Sequence, residues 1–259
     1  MFERLRNAGF QIDFQSHAAA IIQVDFPELM MELEDALLGM SIPVEEIVGS
    51  GGGEAKGTQR LRRALAAAGW AKVNFTIEKR INGTPRESIS HEVDHVRQCP
   101  SGVVALEIEW NNKDPFFDRD LENFKRLHAE GAISFGIIVT RGLTLQSGMT
   151  ALVRRFAAER GLNSDEDLRN LGLSPTIRQQ KDVQRRLKSV PVFADAWAVS
   201  FVQDKFGSAT THWRKLEDRI QRGVGNPCPL MLIGLPAAVV TFDEDLDVAG
   251  IVAGEDGSI

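Results

Sequence analysis

The sequence predicts a mixed α/β fold, a central β-sheet flanked by helices, on three observations. Val73, Phe75 and Ile77 alternate with polar neighbours ahead of Asn82-Gly83, the pattern of a strand entering a tight hairpin. Ile133 to Thr140 (ISFGIIVT) is a continuous apolar run, as expected of a strand covered on both faces. Between that run and an earlier strand, Val103 to Trp110, lies a segment with Leu121, Phe124, Leu127 and His128 at helical spacing. Strand, helix, strand implies a right-handed crossover and a parallel pair. With 259 residues, 43% hydrophobic and 25% charged, the chain can bury a large core as one large domain or two small ones, of which one domain over 1–259 is the reading preferred.

The remaining elements follow from local signals. Pro27 at a first-turn position opens a helix to about Leu38, with Leu29, Leu33 and Leu37 inward. Gly51-Gly52-Gly53 reads as a loop, and a helix runs from a Thr58 cap to Gly69 with Arg60, Arg62 and Arg63 on its polar side. After Asn82-Gly83 a second strand covers about Glu87 to Arg97, and Cys99-Pro100-Ser101-Gly102 turns into the third. Asp118 caps the helix that carries Leu121, and Gly131 ends it. Residues 143–207 are helix-rich and include the basic segment RQQKDVQRRLK. A last helix, about Thr211 to Arg222, leads into final strands at Pro229 to Leu235 and Ala237 to Phe242. The tail, 243–259, is acidic and is expected to be frayed.

Net charge is −6, which taken whole argues against a nucleic-acid partner. Its distribution argues otherwise: the acidity is terminal, and the middle of the chain, from about residue 54 to 240, is net basic, a local field suited to phosphate. The absence of tyrosine excludes a tyrosine nucleophile. Cys99 and Cys228 stand outside any C-x-x-C or Cys/His pattern, which makes a Cys-rich zinc site a poor fit. With neither an apolar signal core nor a run of about 18 apolar residues, the expectation is a soluble, reducing, cytoplasmic setting without membrane contact.

The densest chemistry lies in HEVDHVR, which contains Asp94, and in VVALEIEWNNKD, which contains Glu107 and Glu109. On a strand the two glutamates share a face. If Cys99 pairs with Gly102 across the turn, Asp94 falls opposite Glu107. Facing like charges destabilise a sheet, so something cationic should neutralise them. Carboxylates with the Ile108 carbonyl suit magnesium. A one-residue slip would move Asp94 to the other face, and a solvated acidic edge is the plain alternative. Two other motifs are weaker. His91-Glu92-Val93-Asp94-His95 matches H-E-x-x-H, but it lies between strands rather than on a helix. Gly51 to Thr58 has the wrong order for a phosphate loop, and a flexible glycine-rich loop is the better reading.

The D…E-x-E arrangement on adjacent strands, followed by a helix and a buried strand, resembles the PD-(D/E)XK nuclease core. More widely, FQSHAAAIIQVDFPELMMELEDAL, RALAAAGWAK, LEIEWNNKDPFFDRDLENF, IIVTRG and ATTHWRKLEDRIQRGVGNPCPLMLIGLP resemble, in order, segments of the BglII/BstYI family of Type II restriction endonucleases. The resemblance implies a restriction-endonuclease-like core with a helical insertion at 143–207, which would either add DNA-backbone contacts or form a surface subdomain. It implies catalytic Asp94, Glu107 and Glu109, with magnesium held by Asp94, Glu107 and Ile108. Glutamate stands at Glu109 where the family commonly has glutamine, and in this resembles BamHI-type sites.

Base reading would come from Asn111, Asn112 and Lys113 after the catalytic strand and from Ser208, Thr210 and Thr211 before the last helix. Arg141 and the Arg60, Arg62, Arg63 group would meet phosphates. The implied substrate is double-stranded DNA, cut in both strands at a short palindrome with a GATC centre to leave a 5′ overhang. The implied partners are a second copy of the chain, since two-fold DNA calls for a two-fold protein, and a cognate DNA methyltransferase acting without direct binding. The alternatives are a repair or junction nuclease with the same core and a non-catalytic DNA-binding protein with the same fold.

Overall fold

Turn chemistry sets the register of the sheet, and the register sets which residues meet. The structure, a computed structural model, describes residues 1–49, 54–243, 246 and 248–255. Its strands are β1 Gln11–Gln15, β2 Ile42–Pro43, β3 Ala71–Ile81, β4 Thr84–Cys99, β5 Gly102–Glu109, β6 Phe135–Arg141, β7 Leu230–Leu235 and β8 Val240–Thr241. Its longer helices up to the end of β6 are α1 Glu3–Asn7, α2 Ala18–Asp25, α3 Pro27–Leu38, α4 Val44–Gly49, α5 Lys56–Ala67 and α6 Phe116–Ala129. After β6 come α7 Leu143–Glu159, α8 Asp165–Asn170, α9 Ile177–Arg186, α10 Phe193–Lys205, α11 Trp213–Gln221 and α12 Val248–Glu255.

Six strands form one mixed sheet in the order β1-β7-β6-β5-β4-β3. The β3–β4 hairpin closes at Asn82 and Gly83, whose φ values of 49° and 80° are those a primed two-residue turn demands. Cys99 pairs with Gly102 and Gln98 with Val103, so the expected register holds despite the proline in that turn. β5, β6 and β7 are parallel, with α6 crossing from β5 to β6. Every residue of β6 is buried.

The two faces of the sheet bury different helices. Ala105, Ile138, Leu230 and Leu232 pack with Phe117, Leu121, Phe124 and Leu127 of α6 and Trp213 and Leu216 of α11. Val104, Leu106, Ile137, Val139, Met231 and Ile233 face the larger cluster, formed with α3, α5, α7 and α10. Residues 143–207 are α7 to α10, and Leu145, Met149, Val153, Phe156, Trp197 and Phe201 belong to that cluster. This segment therefore completes the core on one side of the sheet.

Some boundaries differ from expectation. α5 starts at Lys56 after Ala55, with Thr58 buried in its first turn, so Thr58 is not the cap. α6 starts at Phe116 after Pro115, two residues before Asp118, because proline is at home at a helix start. The expected strand at 237–242 shrinks to a 3-10 turn, Ala237–Val239, and β8, which pairs with β2. β1 was not foreseen: five residues offer little periodicity, and its place beside β7 is set by tertiary pairing. In the acidic tail, residues 248–255 form α12, which packs on α4 through buried Val248 and Ile251. The Gly51-Gly52-Gly53 loop lies outside the described residues. Among the described residues no helix is long and apolar enough to cross a membrane.

α6 packs tightly on the sheet at Gly136, where an added Cβ would overlap the ring of Phe124. Overpacking of a dense core costs roughly 1–3 kcal/mol. Gly136→Ala should therefore lower the urea midpoint by that equivalent, and an unchanged midpoint would show that α6 yields freely.

Candidate active site

The site begins with an irregularity in β4. Val93 pairs with Val73 and Val96 with Ala71, so three steps of β4 oppose two of β3. Such a bulge re-aims side chains and is common beside active sites. It lets Val93 and Val96 share the α6 face. The β4–β5 pairing ends at His95 and Leu106, and beyond it Asp94 is joined to Glu107 by its N–H, which donates to the Glu107 carboxylate at 3.3 Å. Glu107 and Glu109 lie on the same face of β5 as Ala105, under α6, and are 7% and 2% exposed. Ile108 points to the other face, against the larger cluster.

α6 adds a residue that sequence reasoning missed. Asp120 is 2% exposed and accepts from Arg119 Nε and Nη2 at 2.8 and 2.7 Å, while its Oδ2 lacks a hydrogen-bond partner. It is also in contact with Glu109. The signal was there: Asp120 stands three after Phe117 and four before Phe124, on the apolar stripe of the helix. Arg119 Nη2 lies 3.7 Å from Glu109 Oε1, and Asn112 Nδ2 donates to Glu109 Oε2 at 2.8 Å. Lys72 of β3, also unforeseen, bridges Asp94 at 2.9 Å and Glu92 at 2.8 Å. This supplies part of the cationic neutralisation that the facing carboxylates require.

The electrostatics are those of anions short of countercharge. Burial, then repulsion from Asp120 and Asp94, pushes Glu107 up to about 9. Burial and Asp120 push Glu109 up to about 8, and burial raises Asp120 as well. Arg119 opposes these shifts without cancelling them. A cation is what such a set lacks. Among the described residues no three His, Cys, Asp or Glu side chains converge as a ready-made cage. Two carboxylates and a backbone carbonyl fit magnesium, which keeps several waters and takes phosphate oxygens from substrate.

The H-E-x-x-H motif does not assemble. His91 lies on the Val93 face toward Arg126 of α6, whereas His95 faces Arg62 of α5 and approaches the Leu106 carbonyl through Nδ1 at 3.3 Å. The bulged strand thus puts the two imidazoles on opposite sides of the sheet. Of the would-be phosphate loop, Lys56, Gly57 and Thr58 already belong to α5.

The two loops assigned to base reading meet. Thr211 N donates to the Asn112 carbonyl at 2.8 Å, Asn112 N donates to Thr211 Oγ1 at 3.0 Å, and Lys113 bridges to Thr210. Asn112, Lys113 and Ser208 are exposed, Asn111 and Thr210 half-buried, and Thr211 buried. Arg141 departs from its expected role. It is 0% exposed, its Nη2 donates to Thr210 Oγ1 at 2.7 Å and to the Thr211 carbonyl at 2.6 Å, and its guanidinium lies 5.0 Å from the Phe206 ring. It ties the end of β6 to the loop and presents no surface to a phosphate. Arg60 is likewise engaged, by both oxygens of Glu46 at 2.7 and 2.8 Å.

The arrangement places Glu107, Glu109 and Asp120 under α6, with Asp94 exposed at their rim and a pair of polar loops alongside. A model of the restriction endonuclease BglII/BglIII family matches residues 10–235. The chain belongs to that family. The match spans all six strands of the main sheet, and it makes this BglII-family protein a Type II restriction endonuclease, a site-specific deoxyribonuclease acting on DNA. No curated protein matches the chain.

Behind the loops of this endonuclease sits His212, 7% exposed and unpartnered at Nδ1. Burial, with Arg141, Lys215 and Arg214 nearby and only partly offset by Asp114, pushes its pKa down to about 4. The unfolded imidazole protonates near 6.5. Between those values the unfolded chain binds a proton at this residue that the folded chain refuses, so the His212 contribution to stability falls as pH drops from about 6.5 toward about 4, by up to about 3 kcal/mol. Because the raised Glu107 and Glu109 act in the opposite sense over the same range, the His212 contribution is read by difference: the change in urea midpoint from pH 7 to pH 5 should be more favourable in His212→Gln than in the wild type, and equal changes would remove His212 as a contributor.

Proposed function

We propose that this endonuclease is a magnesium-dependent homodimer that hydrolyses both strands of a short palindrome, with a GATC centre and a 5′ overhang. The observation that supports it most is the grouping of Glu107, Glu109 and Asp120 under α6 with Asp94 at their rim, next to exposed Lys113 and Ser208. A divalent cation held by Asp94, Glu107 and the Ile108 carbonyl supplies Lewis acidity and lowers the pKa of water.

The chain's own residues do the rest. Glu109, held at Oε2 by Asn112 and flanked at Oε1 by Arg119, would take the proton of the attacking water once a bound cation favoured its ionised form. Water oxygen bonds to phosphorus as the phosphorus–oxygen bond to the leaving sugar breaks, and the departing oxygen takes up a proton. Lys72, half-exposed at the rim, offsets charge on Asp94. Lys113, Ser208, Asn111 and Thr210 offer donors and acceptors to base edges. A two-fold site calls for a second copy of the chain, and a cognate methyltransferase protects host DNA without touching this protein.

Digesting a mapped plasmid in magnesium and sequencing the ends should give discrete fragments cut within one palindrome. Asp94→Asn and Glu107→Gln should each lower the cleavage rate roughly 10³-fold or more, as loss of several kcal/mol of transition-state stabilisation requires, while specific binding persists. Retained cleavage in either variant would sink the assignment.

A further inference from the structure

The side chain of Asn112 is turned toward the catalytic centre. Its Nδ2 donates to Glu109 Oε2 at 2.8 Å, and both its backbone groups are pinned by Thr211, at 3.0 Å through Oγ1 and 2.8 Å through the amide N–H. Asp114 N–H donates to the Ala209 carbonyl at 3.0 Å, and Lys113 bridges to Thr210. Thr211 is held in turn, since its carbonyl accepts from Arg141 Nε and Nη2 at 3.2 and 2.6 Å. The circuit closes at β5, where Thr140 Oγ1 donates to the Glu109 carbonyl at 2.7 Å. Both the backbone and the carboxylate of Glu109 are therefore fixed by groups that lead to the 207–212 loop.

We propose that Asn112 is a positioning residue that aims Glu109, set by the 207–212 loop through Thr211 and Arg141, rather than a reader of base edges. A bidentate contact to adenine needs the free amide edge, and here its nitrogen is committed to Glu109. DNA that seats correctly on Ser208 and Lys113 bears on the same loop that holds Asn112, so correct seating and the aim of Glu109 are mechanically joined. The proposal rests on the nuclease reading above.

The test is steady-state cleavage, in magnesium, of a synthetic duplex carrying the site found in the plasmid digest. The variants are Asn112→Ala, Asn112→Asp and Thr211→Val, compared with wild type. Loss of a hydrogen bond that orients an active group typically costs 10- to 100-fold. We expect kcat to fall by roughly that factor, KM to stay within about threefold, and preference for the site over single-base variants to hold. Asn112→Asp, which cannot donate and adds a charge beside Glu109, should be at least as slow as Asn112→Ala. Should Asn112→Ala fail to fold, the near-isosteric Thr211→Val carries the test. A tenfold or greater rise in KM with kcat unchanged and lost site preference would make Asn112 a base reader and overturn the proposal, as would full activity in all variants. A wild-type chain that cuts no DNA would instead overturn the nuclease reading itself, and this proposal with it.

Discussion

A strand repeats every two residues, and in β5 that constraint decides the rest. Val104 and Leu106 bury against one helical layer while Ala105, Glu107 and Glu109 point to the other. The strand enters under α6 as apolar core and leaves as buried carboxylates, with no change in backbone. Because β6 beside it is buried on both faces, β5 cannot slip without turning the glutamates into the larger apolar cluster. The same rigidity fixes Asp94 opposite Glu107 and brings α6, with Asp120, down over both.

Much of this was legible because the signals were periodic. The Asn82-Gly83 hairpin, the apolar β6 and the stripe of α6 each repeat long enough to be read from sequence, and the turn at Cys99–Gly102 then fixed the register through to His95. β1 was hidden because five residues carry no period, and the start of α6 because a proline can open a helix as well as an aspartate can cap one. The bulge at Asp94 has no sequence signature. It arises between two strands, yet it separates His91 from His95 and so disposes of the zinc motif. Asp120 was readable in principle, since a charge on an apolar stripe needs a partner. Arg141 was misread for a general reason: sequence shows a cation at the end of a strand but not whether aromatic rings and a loop have already claimed it.

Charge shows the same division between global and local. The net −6 says little, because the acidic termini dominate it, and several of the chain's carboxylates are largely withdrawn from solvent. Glu107, Glu109 and Asp120 are buried, where a carboxylate costs free energy unless paired. Arg119 and Lys72 compensate in part, but the raised pKa values of Glu107 and Glu109 show that the compensation is incomplete. A group of anions left short of countercharge is poor design for stability and good design for holding a cation with a phosphate behind it.

The same reasoning explains why residues 143–207 matter to a site they do not enter. α7 and α10 build the wall from which Phe206 projects, and Phe206 with Trp110 forms the aromatic bed of Arg141. Its Nε and Nη2 reach Thr210 and the Thr211 carbonyl, while Nη1 is buried without a hydrogen-bond partner, so the aromatic rings and these bonds together must offset the cost of an unsolvated guanidinium. Removing that bed would leave a buried cation with no enclosure and a loop with no anchor, so the helical segment acts on the 207–212 loop through packing. Strain or disorder in α10 would thus reach Thr211, then Asn112, then Glu109, by a chain of contacts each of which is short, directional and buried or half-buried.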